Sequence, residues 1–366
     1  MLKSKISCFY LQIIVLLLAS AGCVRQYKQQ HSVVIEDMLG RQVSIPDSIG
    51  RIVCIRAASL RLLVYMNGSD RIVGHEEGDK LNQRRPYLIA HPELTETPVI
   101  GPLMGGDAEM ILATHPDVIY TAYTTITEAD DLQKKTGIPV IALECPELGI
   151  TASRDTLYAS IRLIGKTLHK EERADSLINY MENMILELDR RTNGISTRPS
   201  VYIGGIAYGA MKDITSTQPY YPPFTFIHVN NVATSIDKRM ISHVKGTTVD
   251  KEQLLVWNPD IMFFDESGLS LIYDNIKPDG VLYDQLKAVQ NDRMYTLLPY
   301  NNYAVNYELV FINCWFAGKI LYPEAFADIS VKEKGNEILR MFLGEPIFDK
   351  VTTKNSFRQI TKDELK

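Results

Sequence analysis

Six tyrosines stand in stretches of the chain that read as loops: Tyr123, Tyr208, Tyr220, Tyr221, Tyr300 and Tyr303. Each offers a flat apolar face and one polar tip at small entropy cost, which suits a bulky organic ligand with a few peripheral oxygens. Arg56 adds a guanidinium able to grip an anionic edge with two parallel bonds, and Ser59 follows in the same loop. The plainer alternatives are loop packing for the tyrosines and a surface ion pair for Arg56. Glu109 and Glu252 recur in matching surroundings, Asp107-Ala-Glu109 and Asp250-Lys-Glu252. Both fall in the first turn of a helix, where the helix dipole alone stabilises an acid.

Motifs for catalysis are missing. His75-Glu-Glu-Gly lacks the second histidine of H-E-x-x-H, and no nucleophile elbow, P-loop or dinucleotide fingerprint occurs. The 7 histidines are scattered, so a three-histidine zinc or manganese site would need distant residues to converge. No spacing supports His75 or a tyrosine as an axial haem ligand. Asp265 and Glu266 are the only close acidic pair in the candidate loops. The chain reads as a binder and not an enzyme, with no catalytic residue, metal ligand or resident cofactor assigned.

The elements that must position these residues form two similar halves. Short apolar runs at Arg51–Ile55, Pro116–Thr121 and Pro139–Leu143 alternate with helical patterns, which means βαβ units and a largely parallel sheet. After residue 200 the pattern repeats, with strands at Ser200–Gly204, 259–264 and 294–298, a helix over 283–288 and long helices over 306–321 and 331–343. The clearest echo sets Asp107-Ala-Glu-Met-Ile-Leu-Ala-Thr-His-Pro-Asp117 against Asp250-Lys-Glu-Gln-Leu-Leu-Val-Trp-Asn-Pro-Asp260. Between the halves, Leu177, Ile178, Met181, Ile185 and Leu188 keep helical spacing, and no Gly or Pro interrupts Glu171 to Asn193. A helix over about 171–191 is long enough to cross from one lobe to the other. The division expected is a leader over 1–22, a tether over 23–32, an N-terminal α/β lobe over 33–150, a helical segment over 151–194, a C-terminal α/β lobe over 195–349 and a polar tail over 350–366.

With 366 residues, 45% hydrophobic and 23% charged, the chain is globular and long enough for two domains. A formal net charge of −5 argues against nonspecific nucleic-acid binding, which needs a basic surface. Its one strongly apolar stretch follows Lys3 and Lys5 and ends in Ser20-Ala21-Gly22-Cys23, the layout of a secretory leader. Cys23 after Ala-Gly resembles a bacterial lipoprotein signal, although Ser20 stands where leucine is usual. That likeness implies a diacylated Cys23 and a body held at a membrane outside the cytoplasm. An uncleaved N-terminal anchor is the alternative. Cys54, Cys145 and Cys314 are odd in number and widely spaced, so they signal neither a disulfide framework nor a zinc site.

Along residues 33 to 345, Asp37-Met-Leu-Gly-Arg-Gln-Val-Ser-Ile-Pro, Ser69-Asp-Arg-Ile-Val-Gly74, Thr136-Gly-Ile-Pro-Val140, Glu252-x-Leu-Leu-x-x-Asn-Pro-Asp260 and Gly318-Lys-Ile-Leu-Tyr-Pro-Glu324 follow one another. In that order they resemble the metal-chelate substrate-binding proteins of ABC importers, the periplasmic class that carries iron-siderophores, haem and cobalamin. The resemblance implies two Rossmann-like lobes with mainly parallel sheets, one long helix between them, little bending, and one ligand in the cleft. It implies docking of Glu109 and Glu252 on arginines of a permease dimer. It also implies a monomer without nucleic-acid partners whose ligand is a ferric siderophore, with corrinoid and haem as alternatives in the same class. An extracytoplasmic chelatase-like enzyme and a surface adhesin are the readings from other classes.

Overall fold

The computed structural model describes residues 32–81, 84–241 and 246–366; the leader and Cys23 lie outside the described residues. The N-terminal lobe opens with a hairpin of β1 (Ser32–Glu36) and β2 (Gln42–Pro46). Its turn is held by Asp37, whose carboxylate accepts from Arg41 and from the backbone N–H of Ala142, so the hairpin covers the open edge of the sheet. That sheet runs β4-β3-β5-β6 in space: β3 (Ile52–Ile55), β4 (Ile72–Gly74), β5 (Val118–Ala122) and β6 (Val140–Leu143), all parallel. Every residue of β3, β5 and β6 is buried, which is why these strands read as unbroken apolar runs without alternation.

Helices that position the N-terminal site are α1 (Ala57–Tyr65), α2 (Ala108–Ala113) and α3 (Ile126–Thr136). Two longer ones follow, α4 (Thr151–Leu168) and α5 (Glu171–Thr192). At 22 residues α5 is about 33 Å long. Near its start, Arg173 donates to Tyr65 O in the first lobe; near its end, His228 of the second lobe meets Asp189, and Arg191 grips Asp328. One continuous helix thus joins the lobes, as its unbroken periodicity implied.

The second sheet runs β13-β12-β11-β7-β9 in space, with β7 (Ser200–Gly204), β9 (Asn230–Asn231), β11 (Ile261–Asp265) and β12 (Met294–Leu297) parallel. A separate short ladder pairs β8 (Ser216–Thr217) with β10 (Thr247–Thr248). β13 (Gln359–Ile360) closes the edge antiparallel to β12. The C-terminal residues read as a polar tail are therefore built into this lobe: Ile360 is fully buried, and Phe357 packs 4.7 Å from Phe316. A further correction concerns the helix expected over 283–288. Leu286 takes extended dihedrals and splits it into Val281–Gln285 and Lys287–Gln290.

The internal echo is structural. α2 and α6 (Lys251–Trp257) are capped by Asp107 and Asp250, and both end on a left-handed residue before proline, His115 and Asn258. The aspartates of the two Pro-Asp pairs then do the same work. Asp117 accepts from the backbone of Gly50 and Arg51 ahead of β3, and Asp260 accepts from the backbone and hydroxyl of Ser200 at the start of β7.

The last helices, α7 (Tyr307–Leu321) and α8 (Val331–Leu343), return the chain to the first lobe. Here α1 buries Arg61 against the loop that precedes α7. The Arg61 guanidinium donates to Val305 O (3.0 Å) and Tyr303 O (3.0 Å). Burial opposes its charge, but Tyr65, Tyr87 and Glu308 around it raise its pKa overall. Burial also pushes the Glu308 carboxyl up, against the pull of Arg61 and of the Tyr65 hydroxyl that donates to it. Arg61→Met strands those carbonyls and removes the charge facing Glu308, at a cost of about 3 kcal/mol. The melting temperature should fall by about 4 °C; an unchanged melting curve would show that the loop is held by packing alone.

Candidate functional site

Loops leaving the carboxyl ends of both sheets meet along one line, the place where open α/β sheets take ligands. On the first lobe β3 runs out at Ile55, and Arg56 turns the chain into α1 with a left-handed φ of 69°. Such a backbone is costly for a residue with a Cβ and is retained where surroundings fix it. The fixing contacts are the Arg56 N–H donating to Glu76 Oε1 (3.0 Å) and its Nη1 donating to Ala122 O (2.9 Å). Its Nη2 lies 3.9 Å from the exposed Glu128, and its buried Nε has no partner among the described residues. Arg56 is thus tied to the end of β5, with its guanidinium mostly buried.

Glu76 comes from the loop after β4 and is 1% exposed. Besides Arg56 it accepts from the Tyr303 hydroxyl (3.1 Å), a bond that crosses from one lobe to the other. Burial pushes its carboxyl up, opposed by the Arg56 N–H. Tyr303 itself has a φ of 49°, and its ring stacks on the Arg85 guanidinium at 4.7 Å. Arg85 is in turn paired with Asp79 in the buried N-terminal lobe.

A second crossing lies on the other side of Arg56. Glu147, after β6, accepts from the Gln218 side chain, and Gln218 accepts from the Tyr300 hydroxyl. Burial raises the Glu147 carboxyl to about 7. Beside it Gly149 has no room for a Cβ, because the Tyr220 carbonyl fills that space. After β11, Asp265 is raised to about 6 and Glu266 to about 7, both by burial. Asp265 is held by Ser267, Glu266 by the Ser356 hydroxyl, with Arg84 nearby in charge.

The eight residues expected to contact ligand divide sharply. Tyr123 stands 47% exposed with its hydroxyl tied to Cys145 O (2.9 Å), so its ring face is presented. Tyr208, Tyr220 and Tyr303 are partly exposed in the loops at the seam. Tyr221 and Tyr300 are core residues, 1% and 0% exposed, packed on each other at 5.6 Å. Ser59 is fully enclosed and donates to Ile55 O (2.7 Å) within its own helix turn. For these three the expectation of direct contact is corrected; Tyr300 acts one layer back, through Gln218. Glu109 and Glu252 are both exposed, and each helix runs antiparallel to the strand that follows it, so both acids sit at the level of the strand carboxyl ends.

Glu76 and Glu147 were not singled out from sequence. The signal for Glu76 was its place directly after the strand Ile72–Gly74; Glu147 had none beyond its loop. The arrangement offers one guanidinium, partly exposed tyrosines and four carboxyls that burial raises above their ordinary values. Among the described residues, no group of three His, Cys, Asp or Glu could hold a metal ion.

Glu147 gives a pH test. Its folded pKa of about 7 lies above the ordinary 4.5, so its contribution to stability is full below 4.5 and is lost as pH rises toward 7. Glu147→Gln keeps an acceptor for Gln218 but cannot ionise. It should melt higher than the parent above neutral pH, by about 1–3 °C, and lose that advantage in acid. Parallel melting curves across pH would show that Glu147 does not titrate as a buried group.

The sequence matches the Periplasmic binding protein family over residues 52–300. It is 26% identical over 334 residues to the molybdate-binding protein MolA of Haemophilus influenzae, covering 84% of this chain and 90% of that protein. The fold resembles the structure of that MolA bound to molybdate, with a TM-score of 0.66 at 22% identity, covering 85% of this chain and 98% of the other. It also resembles a periplasmic heme-binding protein from Pseudomonas aeruginosa, with a TM-score of 0.52 at 15% identity over 75% of this chain and 94% of that one. Two α/β lobes on one long helix, meeting at their strand ends, and a family match across both lobes lead to one conclusion: the chain belongs to the periplasmic binding protein family.

Proposed function

We propose that this chain is the extracytoplasmic receptor of an ABC importer, held to the membrane by a diacylated Cys23, and that it delivers a ferric siderophore to a permease dimer through Glu109 and Glu252. The observation that carries the ligand reading is Arg56, whose guanidinium donates to Ala122 O, the residue before the exposed Tyr123. A guanidinium next to an aromatic face suits an anionic chelate with an organic body. Leu103, Met104 and Met211, exposed in loops that leave strand ends, favour the same class, which includes corrinoids and haem.

A second reading is a tetrahedral oxyanion. It is favoured by the likeness to the molybdate-binding protein across 84% of the chain. Arg56 would serve it equally, but the carboxyls Glu76, Glu147, Asp265 and Glu266 would repel a dianion wherever they ionise. The family match and the likeness to solute-binding proteins favour a receptor over the chelatase-like enzyme.

Titration of the full chain in detergent with ferric hydroxamate, catecholate and citrate chelates, haemin, cyanocobalamin, molybdate and tungstate separates these readings. We expect saturable binding of a ferric chelate, weakened about tenfold or more in Arg56→Gln and retained in Ser59→Ala. Saturation by molybdate alone would select the oxyanion instead. Membrane fractionation tests the anchor: Cys23→Ala should move the protein to the soluble fraction, and retention on the membrane would point to an uncleaved leader.

A further inference from the structure

The C-terminal segment reaches the strand ends of the second lobe. β13 pairs antiparallel with β12, Ile360 opposite Met294 and Gln359 opposite Tyr295, so the residues before it pass the carboxyl end of β12. There Thr296, fully buried, donates its hydroxyl to Asn355 O (2.5 Å). In the parallel register of β11 and β12, Asp265 lies beside Leu297, so Glu266 comes one residue beyond both strands. The Ser356 hydroxyl donates to Glu266 Oε2 (2.5 Å). The turn Thr353–Ser356 thus starts at the sheet edge, passes β12 and rests on the residue that follows β11.

The turn is shaped for that contact. The Thr353 N–H donates to Ser356 Oγ (2.9 Å), and the Asn355 N–H donates to Thr353 Oγ1 (3.0 Å). Phe357 then takes a left-handed φ of 53°, costly for a bulky side chain, and its ring packs on Phe316 at 4.7 Å. Behind the turn a hollow of about 630 Å³ opens, with Thr353, Ser356 and Phe357 on its wall. The polar residues of the turn are therefore placed by Thr296 and Glu266 rather than by close packing behind them. Burial raises the Glu266 carboxyl; the Ser356 hydroxyl, Arg84 of the first lobe and Thr353 favour its ionised form, and Asp265 opposes it. Arg84 adjoins Arg85, on which the Tyr303 ring stacks, so Glu266 faces the same first-lobe loop that Tyr303 already touches.

Resting on the reading of the seam as the ligand site, we infer that the C-terminal turn Thr353–Ser356 forms a wall of that site and that Ser356 positions Glu266 as a contact for the guest. A carboxylate flanked by hydroxyls suits an edge of the guest that carries N–H or O–H donors, such as the amide backbone of a peptide chelate. The end of this chain is then a selectivity element, and changes in the turn alter the choice of guest without altering the frame of either lobe.

The test is titration of the full chain in detergent with the same panel of chelates and oxyanions, below and above neutral pH. With the guest that saturates the parent, Glu266→Gln should weaken binding about tenfold above neutral pH and little in acid, where the parent carboxyl is itself protonated. Ser356→Ala should move the midpoint of that pH dependence upward, because a donor that favours the ionised form is gone, and Ser356→Thr should restore it. Asp363→Asn, at the exposed end of the same segment and paired with Lys366, should bind as the parent does. If Glu266→Gln and Ser356→Ala bind as the parent does at every pH, or lose affinity only in step with lost thermal stability, the turn is no wall of the site and the inference is overturned. If the parent saturates only with molybdate or tungstate, the ferric-chelate reading falls and the wall is tested with that guest. If the parent binds no member of the panel, both fall.

Discussion

Everything at the site depends on how Arg61 is buried. It rises from α1 of the first lobe into the loop Asn302–Val305 of the second and donates to the carbonyls of Val305 and Tyr303 there. Around it Tyr65 and Glu308 complete a polar knot within an apolar core that runs without a break from Ile52 through Leu177 to Phe311. A buried charge that has its partners resists being pulled from them, because removing either side leaves the other unpaired. The lobes are therefore locked at this seam, and α5 spans them as a rod.

That lock explains the electrostatics above it. Glu76, Glu147, Asp265 and Glu266 all sit where strands end at the junction of the lobes, and burial raises each of them. Two of the four make the contacts that cross, through Tyr303 and Gln218. The same groups that tie the lobes together are thus carboxyls whose ionised form burial disfavours. Arg56 is the fixed positive element in that space, since a guanidinium does not titrate in this range.

Much of the architecture was legible in the sequence because parallel sheets leave a plain mark. Ile52–Ile55 and Val140–Leu143 are buried on both faces and read as unbroken apolar runs, while α5 keeps one apolar stripe for 22 residues. The Pro-Asp repeat was legible for a local reason too: each aspartate pins a neighbouring strand start. The site was less so. A tyrosine in a loop looks the same whether it faces a ligand or the core, and Tyr221 and Tyr300 went inward packed on each other, with Asn313 of a distant helix donating to the Tyr221 hydroxyl. Leu286 broke a helix by taking extended dihedrals, and Ile360 turned a polar-looking terminus into a sheet edge.

The repeat also says where the two halves were free to differ. α2 and α6 share cap, buried anchor, left-handed end and Pro-Asp pin, so the frame that sets Glu109 and Glu252 at one height is the same in both lobes. The segments that precede those helices are not alike. Before α2 the chain runs from His75 through a bridge to Val99 and a glycine-rich turn; before α6 it carries the β8–β10 ladder, the Tyr221–Phe224 core and a hollow beside Trp257. A duplicated scaffold with unlike loops keeps the two acids in the same local frame while the space between the lobes has no twofold symmetry.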